Sequence, residues 1–228
     1  MVKSIFVTAT GTDIGKTYVS GLIVKKMRNF GLDCGYFKPV LSGLTKNTDN
    51  TFTPGDCEHV LNVSGINIDP FCCLSYSFEE AVSPHLAADR LGIKIRTEKI
   101  IDDYKKLSEG YDYMLIEGAG GITCPIREDS GKYYLMSDLI KDMGQSVIVV
   151  ADGGLGTINS VLTTFEYAKN HGINVKGFIF NNYDSTNFMH RDNLKMVEKL
   201  TQIDVLATVP KDETDLNISK QDLISLFE

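Results

Sequence analysis

The chain carries no basic run, and its formal net charge is −7. That argues against nucleic acid or an anionic membrane surface as the main partner, while leaving room for a local basic pocket. No apolar stretch nears the roughly 20 residues of a membrane span. The opening Met1-Val2-Lys3-Ser4-Ile5-Phe6-Val7 is too short an apolar run for a secretory signal. There is no Cys-x-x-Cys. The five cysteines, Cys34, Cys57, Cys72, Cys73 and Cys124, are odd in number, and the adjacent pair suits neither an ordinary disulfide nor a zinc knuckle. They read as buried free thiols in a reducing compartment, so a cytoplasmic location is expected. No nucleophile constellation is visible, and His59, His85, His171 and His190 are scattered and read as structural. No repeat, low-complexity segment or linker divides the 228 residues, so one domain over 1–228 is expected.

What is present is ordinary globular composition, 43% hydrophobic and 23% charged. Ile5–Thr8 reads as a buried strand. A helical pattern follows from Lys16, with Val19, Leu22, Ile23 and Met27 on one face and Gly31 as a natural stop. Gly35-Tyr36-Phe37 reads as a second strand, broken by Pro39. A loop runs from Ser42 to Gly55, and a short helix over Asp56–Leu61. Residues 83–91, 97–108, 157–170 and 187–201 read as helices. Tyr113–Ile116, Val147–Ala151, Phe178–Phe180 and Val205–Val209 read as buried strands. Strands alternating with helices of 10–15 residues predict βαβ units and a mainly parallel sheet. Continuously apolar strands predict helices on both of its faces, a three-layer α/β architecture.

The strongest motif is Gly11-Thr12-Asp13-Ile14-Gly15-Lys16-Thr17, directly after a predicted strand and opening a predicted helix. Helix-start N–H groups have no intrahelical partner and point at an anion. Gly15 lets the backbone wrap a phosphate, Lys16 reaches the β- and γ-phosphates, and the Thr17 hydroxyl can ligate Mg²⁺. The first glycine of the P-loop pattern would fall at Thr10; Gly11 is one place late.

In a parallel sheet the other ligand groups stand beyond the carboxyl ends of strands. Lys38, with Ser42 and Gly43 behind it, would add a second positive charge; a solvated surface lysine is the plain alternative. Glu117-Gly118-Ala119-Gly120-Gly121 puts a carboxylate and open backbone N–H groups where a P-loop protein places its second metal contact; an exposed Gly-rich turn is the alternative. Asp56 is a candidate third Mg²⁺ ligand or a mere helix cap. Gly153–Ser160 is equally a βα connection with a Thr cap or a carboxylate-binding helix start. Asn181 offers both a donor and an acceptor to an adenine edge.

Together these pieces resemble the dethiobiotin synthetase family. The matching runs are Val7–Thr17, Phe37-Lys38-Pro39-Val40 with Ser42-Gly43, Ser83-Pro84-His85, Glu117–Gly121 and Leu155-Gly156-Thr157-Ile158-Asn159. They follow the family's order and spacing over nearly the whole chain. The family usually has Gly at 9, Asp at 11 and often Glu at 13, where this chain has Ala9, Gly11 and Asp13. The stretch beyond Pro210, which in the family borders the base, is too divergent to assign.

The resemblance implies a P-loop fold and an Mg²⁺- and ATP-dependent carboxylation of 7,8-diaminopelargonate by CO₂, giving dethiobiotin, ADP and phosphate through a carbamate and a carbamic–phosphoric anhydride. By the same resemblance Lys16 and Lys38 are catalytic. Thr12, Asp13, Ile14, Gly15, Lys16, Thr17, Tyr18, Glu117, Gly118, Gly120 and Asn181 bind the nucleotide. Thr12, Lys38, Ser42, Gly118, Ala119 and Gly120 bind the substrate, with Leu155, Gly156, Thr157 and Asn159 reaching it across a homodimer interface. Thr17, Asp56 and Glu117 hold Mg²⁺. Two rivals stand beside it. A cobyrinic-acid type of amide synthetase would add a glutaminase domain, for which 228 residues leave no room. A nucleotide-switched positioning ATPase would carry an extra lysine at position 11 and a basic amphipathic C-terminal helix.

Overall fold

A computed structural model describes residues 2–228. In chain order the elements are β1 (Lys3–Ala9), α1 (Lys16–Asn29), β2 (Cys34–Ser42), β3 (Thr45–Lys46), β4 (Phe52–Thr53), α2 (Gly55–Ser64), a short 3-10 turn (Pro70–Cys73), β5 (Leu74–Phe78), α3 (Pro84–Arg90) and α4 (Thr97–Ser108). There follow β6 (Tyr113–Glu117), β7 (Pro125–Asp129), β8 (Lys132–Leu135), α5 (Met136–Asp142), β9 (Val147–Asp152), α6 (Thr157–Asn170), β10 (Val175–Asn181), α7 (Phe188–Thr201), β11 (Val205–Val209) and α8 (Lys220–Leu226).

Seven strands form one sheet in the order β11-β10-β9-β1-β6-β2-β5, with every neighbouring pair parallel. The apolar strand runs explain the layering. Ile5, Val7, Leu115, Ile148, Val150 and Ile179 point to one face and pack with α1, α2 and α8. Phe6, Ile116, Val147, Val149, Phe178 and Phe180 point to the other and pack with helices α3 to α7. Each such side chain, fully buried, contributes about 1.5–3 kcal/mol. A sheet buried on both faces is what continuous rather than alternating apolar runs require.

Three sequence expectations are corrected here. Pro39 does not break the second strand. β2 pairs with β6 up to Phe37 and with β5 from Lys38 onward. Pro39 stands at that hand-over, where its missing N–H interrupts neither ladder. The Ser42–Gly55 loop contains the small β3–β4 pair. Of the cysteines, all free, Cys34, Cys57 and Cys73 are buried, but Cys72 is exposed at the turn before β5 and Cys124 is half-buried. No helix among the described residues is long and apolar enough to cross a membrane.

Candidate active site

β1 ends at the centre of the sheet, between β6 and β9, and the chain loops from Thr10 into α1. Gly15 caps that helix at φ 91°, in the left-handed region. A side chain there would also collide with Asn181, whose Nδ2 would lie 2.1 Å from an added Cβ. Only glycine allows the loop to close this tightly against β10. Gly11 is not constrained in the same way. Among the described residues a Cβ there meets only Ile14, at 3.7 Å, an ordinary van der Waals contact.

The charged side chains converge through strand register. Tyr36 lies opposite Leu115 and Phe37 opposite Ile116, so Lys38 falls level with Glu117, on the face covered by α1 and α2. Glu117 is fully buried and Lys38 is 3% exposed. Lys38 Nζ donates to Glu117 Oε1 at 2.6 Å and also pairs with Asp56 from α2. The Thr17 hydroxyl donates to the same Glu117 Oε1 at 2.8 Å and lies within reach of Asp56. The Tyr36 hydroxyl donates to Glu117 Oε2 at 2.9 Å.

The electrostatics follow. Burial alone would lower the Lys38 pKa, but the Glu117 and Asp56 carboxylates overcome it and hold the ammonium above its ordinary range. Burial likewise opposes the charge of Asp56, yet Lys38 keeps that carboxyl below its ordinary range. Lys16 goes the other way. Burial, then the charge of Lys38, lowers its pKa; its Nζ donates to the Gly11 carbonyl at 3.3 Å. Two ammonium groups and two carboxylates therefore balance within one buried cluster.

This cluster floors a cleft of about 700 Å³. Of the sequence-predicted residues, Thr12, Asp13, Gly15, Lys16, Thr17, Lys38, Ser42, Asp56, Glu117, Ala119 and Gly120 line it. Ser42 Oγ is buried with no hydrogen-bond partner among the described residues, an acceptor and donor left for a ligand. Others lie elsewhere. Gly118 is buried, its N–H donating to the Val7 carbonyl. Asn181 donates to the Ile14 carbonyl at 3.0 Å, bracing the loop from the β10 side. Tyr18 stacks on His59 at 6.0 Å and its hydroxyl donates to the Glu213 carbonyl, tying α1 to the segment after β11. Leu155, Gly156, Thr157 and Asn159 do not line the cleft; Leu155 is 92% exposed.

Sequence reasoning missed the far wall of the cleft, Leu41 with Ala81, Val82 and Pro84, and also Cys124. The Ser83-Pro84 start of α3 was its only visible signal. It also missed Tyr36, which nothing short of strand register could assign.

The donor set suits a hard divalent cation. Thr17, Asp56 and Glu117 offer a hydroxyl and two carboxylates around one point, where an ammonium now balances them. Among the described residues no group of three or more His, Cys, Asp or Glu side chains could hold a metal alone. Mg²⁺ sites of this sparse kind are completed by substrate phosphates and water.

A family model described as an AAA domain matches residues 3–217. Among solved structures, the fold resembles the MinC:MinD cell division protein complex of Aquifex aeolicus, with a TM-score of 0.55, 13% identity, and coverage of 92% of this chain and 82% of that one. It also resembles a ParA family ATPase from Chlorobium tepidum, with a TM-score of 0.51, 15% identity, and coverage of 98% and 90%. Likeness at that identity speaks to the fold alone. Among curated proteins, the chain is 45% identical to the ATP-dependent dethiobiotin synthetase BioD of Clostridium botulinum strain Alaska E43, over 90% of this chain and 89% of that one. It is 43% identical to the protein of the same name from Clostridium perfringens strain 13, over 100% and 98%. With full-length agreement at this identity, and a P-loop whose lysine, hydroxyl and carboxylates converge on one cleft, the chain belongs to the ATP-dependent dethiobiotin synthetase family.

Proposed function

We propose that the protein is an Mg²⁺-dependent carbon–nitrogen ligase that uses ATP to carboxylate 7,8-diaminopelargonate and close the ureido ring of dethiobiotin. The observation that carries this reading is the placement of Lys38. Its ammonium, bridged between Glu117 and Asp56, opens on the same cleft as Lys16, so phosphate and a second substrate meet between two cations. The names of the relatives support the same product.

The reaction runs in three steps. One substrate amine adds to CO₂ and loses a proton, giving a carbamate. A carbamate oxygen attacks the γ-phosphorus and ADP leaves, giving a carbamic–phosphoric anhydride. The second amine attacks the carbonyl carbon, the new C–N bond forms, the bond from that carbon to the bridging oxygen breaks, and phosphate departs with the proton the amine gives up. The first step has a physical obstacle. An alkyl amine with a pKa of about 10.4 costs about 5 kcal/mol to deprotonate at neutral pH. Burial and the neighbouring Lys38 already lower the pKa of Lys16, and the same two effects act on an alkylammonium bound between the lysines. Lys16 and Lys38 then stabilise the carbamate and the charge spreading over the transferring phosphoryl group. Thr17, Asp56 and Glu117 would hold Mg²⁺, which neutralises β- and γ-phosphate charge. Ser42 Oγ, free of protein partners, is available to the diamine side of the cleft.

The cleft is one half of the diamine site in this reading. Leu155, Gly156, Thr157 and Asn159 of a second copy supply the other half, gripping the carboxylate tail with helix-start N–H groups. The exposure of Leu155 and the buried Thr157 Oγ1, which has no partner among the described residues, support this. A positioning ATPase with the same fold is the rival. ATP turnover decides between them. Release of ADP should require both diaminopelargonate and bicarbonate, with dethiobiotin appearing mole for mole. Turnover indifferent to both would assign the chain to the rival class.

A further inference from the structure

The Glu117 carboxylate is held from two sides, and the sides differ. Oε1 faces the cleft and accepts from Thr17 at 2.8 Å and from Lys38 at 2.6 Å. Both donors belong to the groups that meet nucleotide and metal, so both contacts change when the site is loaded. Oε2, among the described residues, accepts only from the Tyr36 hydroxyl, at 2.9 Å. Tyr36 is 1% exposed, held in the core between the sheet and the α1–α2 layer, and does not line the cleft. Among the described residues the Tyr36 hydroxyl makes this one hydrogen bond, and Oε2 accepts this one.

We propose that Tyr36 is a positioning residue, which fixes the Glu117 carboxylate in the rotamer that presents Oε1 to the metal and the phosphates. The proposal rests on the reading of Thr17, Asp56 and Glu117 as metal-holding groups. Three features of the geometry support it. A glutamate has three side-chain torsions, and a buried one without a back-side donor would rotate to share both oxygens with Lys38. A donor at Oε2 forbids that rotation. Strand register brings the phenol there: Tyr36 lies opposite Leu115, two residues before Glu117 and on the same face of the sheet, which puts its hydroxyl within 2.9 Å of Oε2. Tyr36 is also absent from the lining of the cleft, so the contact lies outside the space a ligand would fill.

The experiment is a double-mutant cycle read by metal binding rather than turnover. Wild type, Tyr36→Phe, Glu117→Gln and the double variant are each saturated with ADP, and Mn²⁺ affinity is measured by the loss of the free-ion electron paramagnetic resonance signal. Tyr36→Phe keeps the ring that packs the core, so the fold is retained; thermal melting checks that. The expected result is about a tenfold to hundredfold loss of Mn²⁺ affinity in Tyr36→Phe. A similar or larger loss is expected in Glu117→Gln, with no further loss in the double variant, because Tyr36 acts only through Glu117. Wild-type affinity in Tyr36→Phe beside a weakened Glu117→Gln overturns the Tyr36 assignment and leaves the metal reading standing. Wild-type affinity in both overturns both. Additive losses in the double variant also overturn the proposal, since they assign Tyr36 an independent structural effect.

Discussion

Two glycine loops in this molecule, one after β1 and one after β9, end in the same way. Each puts a glycine in the left-handed region, Gly15 at φ 91° and Gly156 at φ 90°, immediately before a 14-residue helix. Their surroundings are opposite. The first loop is walled in by Lys16, Lys38, Glu117 and Asp56 and braced from behind by Asn181. The second stands in the open, with Leu155 92% exposed and no atom within 4 Å of a Cβ added at Gly156. It is nevertheless held firmly from below. Asn193 Nδ2 donates to the Gly153 and Gly154 carbonyls at 3.0 and 2.9 Å, and Asp152 Oδ1 accepts from Gly154 N at 2.8 Å. The backbone device is shared, and what differs is the company it keeps. One helix start closes a charged site within the chain; the other presents a braced apolar side chain outward.

The largest effect is expected at the first loop. Lys16→Gln should lower kcat by about a thousandfold, because the lost charge tracks the transferring phosphoryl group. Steady-state turnover would show this, and a variant within tenfold of wild type would contradict the assignment. Next comes Lys38→Gln, expected to cost about a hundredfold in kcat. Because removing one member of a buried ion pair costs about 3–5 kcal/mol, its fold must be checked by melting before the rate is read.

A matched pair of glycine variants would sharpen the contrast itself. Gly15→Ala drives a Cβ into Asn181 and should weaken ATP binding about tenfold to a hundredfold. Gly156→Ala meets no atom and should cost only the strain of φ 90°, about 1–2 kcal/mol of stability, leaving ATP affinity untouched. Equal effects on ATP binding, measured by calorimetry, would erase the distinction.

The smallest effect is electrostatic. Lys38 holds the Asp56 pKa below its ordinary value, so the folded state binds that proton less readily than the unfolded chain. The resulting stability is present in full above about pH 5 and is lost as pH falls through the lowered value. In Asp56→Asn the acid limb of the denaturation midpoint should be shallower than in wild type. An unchanged slope would show that the pair contributes nothing to the pH dependence.

The two loops were also unequally legible. The first announces itself, since Gly-Lys-Thr after an apolar strand and before a helical pattern has few other uses. Glu117 and Lys38 could be read as strand-end charges; Glu117 does end β6, but Lys38 lies in the middle of β2, where the strand passes from β6 to β5, and still reaches the cleft. Elements with weaker patterns were lost. β5 is a half-buried edge strand with no continuous apolar run. The β7–β8 hairpin turns on Ser130 and Gly131, both at positive φ, between short and largely polar strands. α5 and α8 span only seven residues each, too few to establish a period. Pro39 read as a break because a sequence cannot show that a strand changes partners at that residue. The Tyr36 contact depends on which rung of β2 faces which rung of β6, and that is fixed only when the sheet assembles.

The second loop could be identified as a helix start, but its residues lie outside the cleft, and in the proposed reading they serve a second copy. Mixed dimers test this division of one site between two loops most directly. Lys16→Gln subunits are combined with subunits altered at Asn159, each inactive alone, and the diamine-dependent turnover of the mixture is measured. If each site joins the phosphate loop of one copy to the Gly154–Ser160 loop of the other, a mixed dimer has one doubly damaged site and one intact site. An equimolar mixture should then recover about a quarter of wild-type activity. Verified heterodimers that recover none, or a fully active monomer in sedimentation, would show that each site is built within one chain.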